Sequence, residues 1–152
     1  MNLLESIDSV ALIVPEMKAS NRWEAIDELV EVLVRAGKIK AEQREAVTGA
    51  LRKRETSMST GIGLGIGLPH GVTPFVTDIV AAFGRSQKGI EFDSLDNRPV
   101  NLVVLYLCKE TDYGKSMEAS ANMAKLLLPI RFRATLLAAT TAEEILRVIR
   151  SA

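Results

Sequence analysis

The sequence predicts a layered α/β domain. Its most informative segment, Leu102–Cys108, is apolar at every position except for the tyrosine hydroxyl, which is typical of a strand that is buried on both faces at the centre of a sheet. Segments with apolar residues at helical spacing lie on either side of this strand along the chain. No repeat or low-complexity linker divides residues 1–152, so we predict one domain in which helices cover the sheet.

Two helices are predicted in the first third of the chain. Asn21 can cap the first helix with Glu24 as its reciprocal partner, and Gly37 follows the last turn. The second helix is expected over residues 41–55, and its basic last turn, Arg52–Arg54, suits the negative end of a helix dipole. The inward-facing residues are predicted to be Ile26, Leu29, Val30, Leu33 and Val34, then Ala46, Val47, Ala50 and Leu51.

The centre of the chain is rich in glycine. Glycines alternate with apolar residues over positions 61–67, and the run ends in Pro69-His70-Gly71. A turn that leads into a short strand is expected here, because glycine allows tight turns and close backbone approach. Val10–Val14 is predicted to be an edge strand or an extended lead-in, and Ile79–Phe83 a further strand.

The last third of the chain is predicted to be helical. Pro129 ends or bends one helix, and Thr141 with Glu144 forms a capping box for the last one. The inward stripe of the longest helix is expected to consist of Met117, Ala121, Ala124, Leu127 and Leu128.

Composition excludes several classes of protein. Lys plus Arg and Asp plus Glu number 19 each, so we expect no nucleic-acid partner. The single cysteine, Cys108, cannot form an internal disulfide. The N-terminus lacks a basic signal-peptide region, and no apolar run approaches the roughly 20 residues of a membrane span. These features predict a cytoplasmic protein without direct membrane insertion.

His70 is the only histidine, which excludes a histidine-cluster metal site. No G-x-S-x-G elbow supports a serine triad, and the glycine run has neither P-loop nor dinucleotide spacing. A neutral imidazole is a competent nucleophile, and a phosphoryl group on it would need amide donors and a cation. The glycine-rich backbone and Arg54 are the candidates, although Arg54 alone is also explained as a helix-terminal charge.

The stretch Arg54–Gly71, RETSMSTGIGLGIGLPHG, resembles the phosphorylation-site signature of enzyme IIA proteins of the sugar phosphotransferase system. The similarity is to the fructose/mannitol class and, within it, to the nitrogen-regulatory branch. Ile90–Leu102, IEFDSLDNRPVNL, resembles the turn and central strand of that family, and the two segments 132–139 and 141–145 resemble its C-terminal helices.

The resemblance implies a three-layer α/β sandwich with a mixed central sheet. His70 would accept a phosphoryl group from a phosphohistidine carrier protein, with Arg54 holding its oxygens. Thr60, Gly61 and Ser116 would bind the phosphate, and neither a metal nor a cofactor is implied. The acceptor would be a regulated protein or a sugar-permease domain.

One position departs from the family pattern. Members commonly carry a second histidine where this chain has Ser116, followed by Met117. A serine hydroxyl offers a neutral hydrogen bond in place of a charge-assisted one, so we expect weaker phosphoryl stabilisation or slower transfer. The alternative is that Ser116 is simply a helix N-cap.

Three functions therefore follow from the sequence. The first is a phosphocarrier for sugar transport, and the second is a regulatory phosphoprotein of the nitrogen branch. The third is a binding module that has kept the fold and lost the transfer. The Phe92–Asn101 segment favours the nitrogen branch.

Overall fold

The computed structural model describes residues 1–152 and shows a mixed six-stranded sheet with five α-helices. The strands are β1 (Ile13–Val14), β2 (Gly61–Gly63), β3 (Ile66–Gly67), β4 (His70–Val72), β5 (Val80–Ile90) and β6 (Val100–Cys108). The helices are α1 (Arg22–Arg35), α2 (Arg44–Ser57), α3 (Tyr113–Leu127), α4 (Ile130–Ala138) and α5 (Ala142–Arg150). The prediction of an α/β sandwich with a mixed sheet is confirmed.

Strand β6 organises the sheet. The strand order is β1-β5-β6-β3-β2, and β4 also pairs with β6. β6 runs antiparallel to β5 but parallel to β3 and β4. All but one of its nine residues are buried, as predicted for a central strand. Because β3 and β4 lie one after the other along β6, the short β4 forms an edge of the sheet at the C-terminal end of β6.

Helices α1 and α2 cover one face of the sheet. A Cβ atom added at Gly84 would collide with Met17 and contact Leu29 of α1, and one at Gly71 would contact Leu51 of α2. Gly84 and Gly71 pair with positions 103 and 107 of β6. Because strand side chains alternate, these positions share a face of the sheet, so α1 and α2 pack on the same face.

Helix α3 lies against the opposite face. Tyr106 and Cys108 project there, and their side chains contact Met117 and Ser116 of α3. His70 pairs with Tyr106 across β4 and β6, so the histidine side chain leaves the sheet on the α3 face. This register decides which helices can reach the imidazole.

The predicted helix termini of the N-terminal half are largely confirmed. The Asn21 side chain accepts a hydrogen bond from the Glu24 amide, and Gly37 has a φ of 75°. Glu24, however, accepts from the Ser20 amide rather than from Asn21. α2 begins at residue 44 after a 3-10 turn, and Ala46, which we predicted to face inward, is exposed.

The predicted inward stripe of α3 is wrong. Among its members only Leu127 is buried, while Met117 and Leu128 are 40% and 59% exposed. The face that meets the sheet consists of Ser116, Ala119, Ser120, Met123 and Leu127. Periodicity located the helix but not its orientation, because two of the buried positions are serines. A serine can be buried where its hydroxyl finds a partner, as Ser116 does with the Tyr113 carbonyl.

A buried arginine ties the sheet to the C-terminal helices. Arg85 of β5 is 3% exposed and has no carboxylate partner. Its Nε donates to the Pro15 carbonyl at 2.8 Å, and Nη1 donates to the carbonyls of Leu136 and Ala139 at the end of α4. A cation is favourable at a helix C-terminus, where unpaired carbonyls gather.

None of the five helices combines the length and the apolar character needed to cross a bilayer.

Candidate functional site

His70 lies at the sheet edge and opens into a cleft of about 480 Å³. The imidazole belongs to the first residue of β4 and is only 8% exposed. The cleft lies between the last turns of α2 and the start of α3, and its lining includes Lys53, Arg54, Ser57, Val72 and Tyr113. The chain's only histidine therefore faces a cationic, partly apolar cleft.

One hydrogen bond sets the tautomer of His70. Its Nδ1 lies 2.8 Å from the carbonyl oxygen of Leu68. A carbonyl only accepts hydrogen bonds, so Nδ1 carries the proton and Nε2 keeps its lone pair. Pro69 fixes this geometry, because its ring restricts the backbone between donor and acceptor. The nitrogen left without a partner is the one available for nucleophilic attack.

The surroundings keep the imidazole neutral. Burial lowers the pKa of His70 from its ordinary value of 6.5, and the positive charge of Arg54 lowers it further, against the opposing effects of the Leu68 hydrogen bond and of Glu55. A lowered pKa means that the ring carries no proton on Nε2 at neutral pH. The site thus holds the histidine in its nucleophilic form.

Arg54 comes to the cleft from the last turn of α2. Its Nη1 donates to the Met58 carbonyl at 2.8 Å, which closes the C-terminus of the helix. It takes part in no ion pair, unlike the neighbouring Arg52, which pairs with Asp27. Arg54 is therefore a helix-terminal charge that also lies beside His70 in the cleft, and its predicted role in holding a phosphoryl group stays a prediction.

Thr60 is engaged elsewhere. Its hydroxyl donates to Glu55 at 2.5 Å and its amide donates to the same carboxylate at 2.9 Å. Glu55 is 1% exposed and also pairs with Arg22 at 3.2 Å. This network ties the end of α2 to the start of β2. Thr60 does not line the cleft, so its predicted phosphate-binding role has no support from its placement.

Gly61 and Ser116 also lie outside the cleft lining. The Gly61 amide donates to Ser59, and a Cβ at Gly61 would collide with Ser94, so this glycine permits close packing of the β2 backbone. Ser116 is 1% exposed and donates its hydroxyl to the Tyr113 carbonyl. Their phosphate-binding roles stay predictions. The N-cap alternative for Ser116 is wrong, because α3 begins three residues earlier.

The structure adds three polar residues to the site that the sequence did not identify. Lys53 contributes a second positive charge, Ser57 a hydroxyl and Tyr113 a phenol that is 45% exposed. The basic last turn of α2 was the available signal for Lys53. Nothing in the sequence pointed to Tyr113, because only the fold brings the start of α3 beside β4.

The fold and the site together define an α/β protein with a single imidazole on a short edge strand, where it opens into a cationic cleft. The model of the family "Phosphoenolpyruvate-dependent sugar phosphotransferase system, EIIA 2" matches residues 7–152. The chain belongs to this family, whose domains take a phosphoryl group from one partner protein and pass it to another.

Relatives of two kinds are similar to the chain. It is 36% identical over 133 residues to the PTS system fructose-specific EIIABC component of Bacillus subtilis, covering 88% of this chain but only 21% of that longer protein. It is 32% identical over 115 residues to the nitrogen regulatory protein of Bradyrhizobium diazoefficiens, covering 76% of this chain and 73% of the relative.

A solved structure confirms the fold. The nitrogen regulatory protein IIA-Ntr of Neisseria meningitidis superposes with a TM-score of 0.83 at 27% identity, over 93% of this chain and 94% of that one. The predicted family resemblance, to the EIIA domains with nitrogen-regulatory and fructose-specific members, is therefore confirmed.

Proposed function

We propose that this protein carries a phosphoryl group on Nε2 of His70, taking it from a phosphohistidine carrier protein and passing it to a further partner. The observation that supports this most directly is the Nδ1–Leu68 hydrogen bond, which leaves Nε2 unprotonated beside a cationic cleft. We further propose a cytoplasmic setting, as the family resemblance implies.

The transfer is balanced without any net proton movement. The Nε2 lone pair forms the new N–P bond while the N–P bond of the donor breaks, and the electron pair of that bond returns to the donor imidazole. His70 becomes a phosphoimidazolium whose Nδ1–H continues to donate to Leu68, and the donor, itself a phosphoimidazolium protonated on its other ring nitrogen, becomes a neutral imidazole. Such a transfer depends on positioning and electrostatic stabilisation rather than on acid–base chemistry.

The charges at the cleft favour the phosphorylated state. Arg54 disfavours a protonated His70, but it attracts a phosphoryl group, which carries about −1.5 to −2 charges near pH 7. Lys53 lines the same cleft. A guanidinium with free N–H groups is suited to phosphate oxygens, because its donors form a planar fork. The same cation therefore disfavours protonation of His70 and favours its phosphorylation.

Two acceptors fit the relatives of this chain. The fructose-specific relative, an EIIABC component, supports the EIIB domain of a sugar permease as acceptor, whereas the nitrogen regulatory relatives support a regulated protein. The cleft geometry is compatible with either, because it concerns only the phosphoryl group. The third function, a binding module without transfer, is the outcome that a failed labelling experiment would establish.

The decisive experiment is intact-mass analysis after incubation with phosphoenolpyruvate, enzyme I and the phosphohistidine carrier protein. We expect a gain of one phosphoryl group that is lost in acid. The His70→Gln variant removes the only histidine of the chain and should take up none, whereas Arg35→Gln, changed at an exposed position of α1, should label normally.

Absence of labelling in the wild-type protein with a cognate donor would refute the proposal and leave the binding module. Label that survives in His70→Gln would also refute it. Adding an EIIB domain to the labelled protein then separates the two acceptors, because only a transport component should lose its label to that domain.

A further inference from the structure

A tyrosine of the central strand stacks on the imidazole of His70. The centroids of the two rings are 4.9 Å apart and their planes differ by 10°. Tyr106 and His70 are register partners on β6 and β4, so their side chains leave the same face side by side. Near-parallel rings at this separation are in favourable aromatic contact.

The Tyr106 ring is itself held firmly. It is 1% exposed, and its hydroxyl lies 3.9 Å from the Met117 sulfur of α3. On the opposite side β6 pairs with β5, where the residue beside Tyr106 is the buried Ala81. Burial raises the pKa of the Tyr106 hydroxyl, which keeps this ring neutral. Tyr106 is thus a rigid, uncharged platform beneath the histidine.

One hydrogen bond cannot orient an imidazole by itself. The only hydrogen bond of the His70 ring joins Nδ1 to the Leu68 carbonyl, and the ring can still pivot about that contact. The lone pair of Nε2 lies in the plane of the ring, so its direction changes with every pivot. A flat stack against Tyr106 removes this freedom, because it fixes the plane while the hydrogen bond fixes the rotation within the plane.

We propose that Tyr106 is a positioning residue that holds the His70 ring plane and thereby aims the Nε2 lone pair into the cleft. The consequence for transfer rests on the function proposed above. Helix α3 supplies no alternative support at Ser116, the position of the missing second histidine, because that hydroxyl is directed to the Tyr113 carbonyl. The aromatic platform therefore provides the orientation that a polar partner on α3 does not.

Two substitutions separate the effect of ring stacking from the effect of the Tyr106 hydroxyl. Tyr106→Leu removes the flat ring, and Tyr106→Phe keeps it without the hydroxyl. With the phosphorylated carrier protein as donor, Tyr106→Leu should lower the maximal transfer rate about 10- to 100-fold at an unchanged donor KM, because misplaced reacting atoms slow a directed transfer. Tyr106→Phe should stay within about twofold of the wild type, since a phenyl ring stacks equally well.

Two measurements test whether the slower transfer of Tyr106→Leu comes from general damage to the buried core or to the imidazole. Phe83→Leu on β5 removes a fully buried aromatic ring that has no aromatic contact with His70, and it should transfer at the wild-type rate. Diethyl pyrocarbonate, a small electrophile that needs no docking, should modify the single histidine of Tyr106→Leu at least as fast as that of the wild type. A slower reaction would mean that the imidazole has lost nucleophilicity rather than orientation.

Wild-type transfer rates in Tyr106→Leu, or equal losses in the Phe and Leu variants, would overturn the inference. Nitrogen NMR of the His70 ring provides a readout that does not need phosphorylation. The wild type and Tyr106→Phe should show one sharp set of Nδ1–H ring resonances, whereas Tyr106→Leu should keep the Nδ1–H tautomer set by Leu68 and show exchange broadening from a ring whose plane is no longer fixed. Absence of label in the wild type would refute the proposed function but not the positioning role. The positioning role would be refuted by a His70 ring that is as ordered in Tyr106→Leu as in the wild type.

Discussion

His70 and Arg85 are two buried basic side chains that project from the same face of the sheet, since their partners on β6 are Tyr106 and Leu102. They are 8% and 3% exposed. Arg85 donates to four backbone carbonyls, those of Pro15, Leu136, Leu137 and Ala139. His70 has a single hydrogen bond, to Leu68, and its second nitrogen has no partner.

This is the difference expected between a structural group, Arg85, and the nucleophile that we propose for His70. A buried polar group that stabilises a fold uses its donors on protein acceptors, because each unmade hydrogen bond costs free energy. A nucleophile must keep one lone pair free, so the fold loses the free energy that a hydrogen bond to that lone pair would contribute. We therefore expect substitutions at Arg85 to affect folding, and substitutions around His70 to affect phosphoryl transfer.

The largest expected effect on transfer is at His70. His70→Gln should abolish phosphoryl uptake, because no other imidazole is present, while the free energy of unfolding should change by no more than about 1–2 kcal/mol, as for most single substitutions. Intact mass measures the first quantity and urea unfolding the second. A large loss of stability would show that the histidine is also a structural support.

Arg85→Met should show the converse behaviour. The substitution leaves the carbonyls at the end of α4 without donors, so we expect the free energy of unfolding to fall by about 2–4 kcal/mol. Labelling of the folded fraction should be unchanged. Arg35→Met is the matched control, since that arginine is exposed and its ion pair with Glu31 is worth no more than about 1 kcal/mol. Slow labelling of folded Arg85→Met would contradict the assignment of a purely structural role to Arg85.

Arg54→Ala should slow labelling by roughly 10- to 100-fold, the equivalent of losing one charge-assisted hydrogen bond of about 1.5–3 kcal/mol. Arg52→Ala removes the same charge from the same helical turn, but its guanidinium pairs with Asp27 and should not matter for transfer. Initial labelling rates of the two variants measure the difference. Equal rates would mean that Arg54 acts only as a helix-terminal charge.

The pH dependence follows from the lowered pKa of His70. Between the folded pKa and 6.5 the unfolded chain binds more protons, so the contribution of His70 to stability is complete above pH 6.5 and declines as the pH falls through that window. Labelling should be independent of ring protonation above pH 6.5 and decrease in acid as Nε2 becomes protonated. An NMR titration of the ring with a midpoint above 6.5 would contradict this.

The smallest effect is expected at Ser116. Ser116→Ala removes a hydroxyl that donates to the Tyr113 carbonyl, which should cost about 1 kcal/mol in the free energy of unfolding and leave the labelling rate unchanged. A clear loss of labelling would restore the phosphate contact that the sequence suggested for this position. Thermal unfolding and initial labelling rates measured together distinguish the two roles.

Several elements of this protein could be predicted because their signals are local. The Asn21 cap, the turn at Gly37 and the apolar run Leu102–Cys108 of β6 depend on backbone geometry and burial of nearby residues. The orientation of α3 could not be predicted in this way. Its buried face includes Ser116 and Ser120, and no local pattern distinguishes a serine with an internal partner from a solvated one.

The sequence by itself determined the family, the identity of the histidine and its association with Arg54, because a continuous motif places both within one short segment. Only the tertiary structure decided what surrounds that histidine. Strand register put Tyr106 against the ring, and the packing of α3 beside β4 brought Tyr113 to the same cleft. Both residues lie far from His70 along the chain, and local spacing carries no record of which residues a strand register or a helix packing brings together.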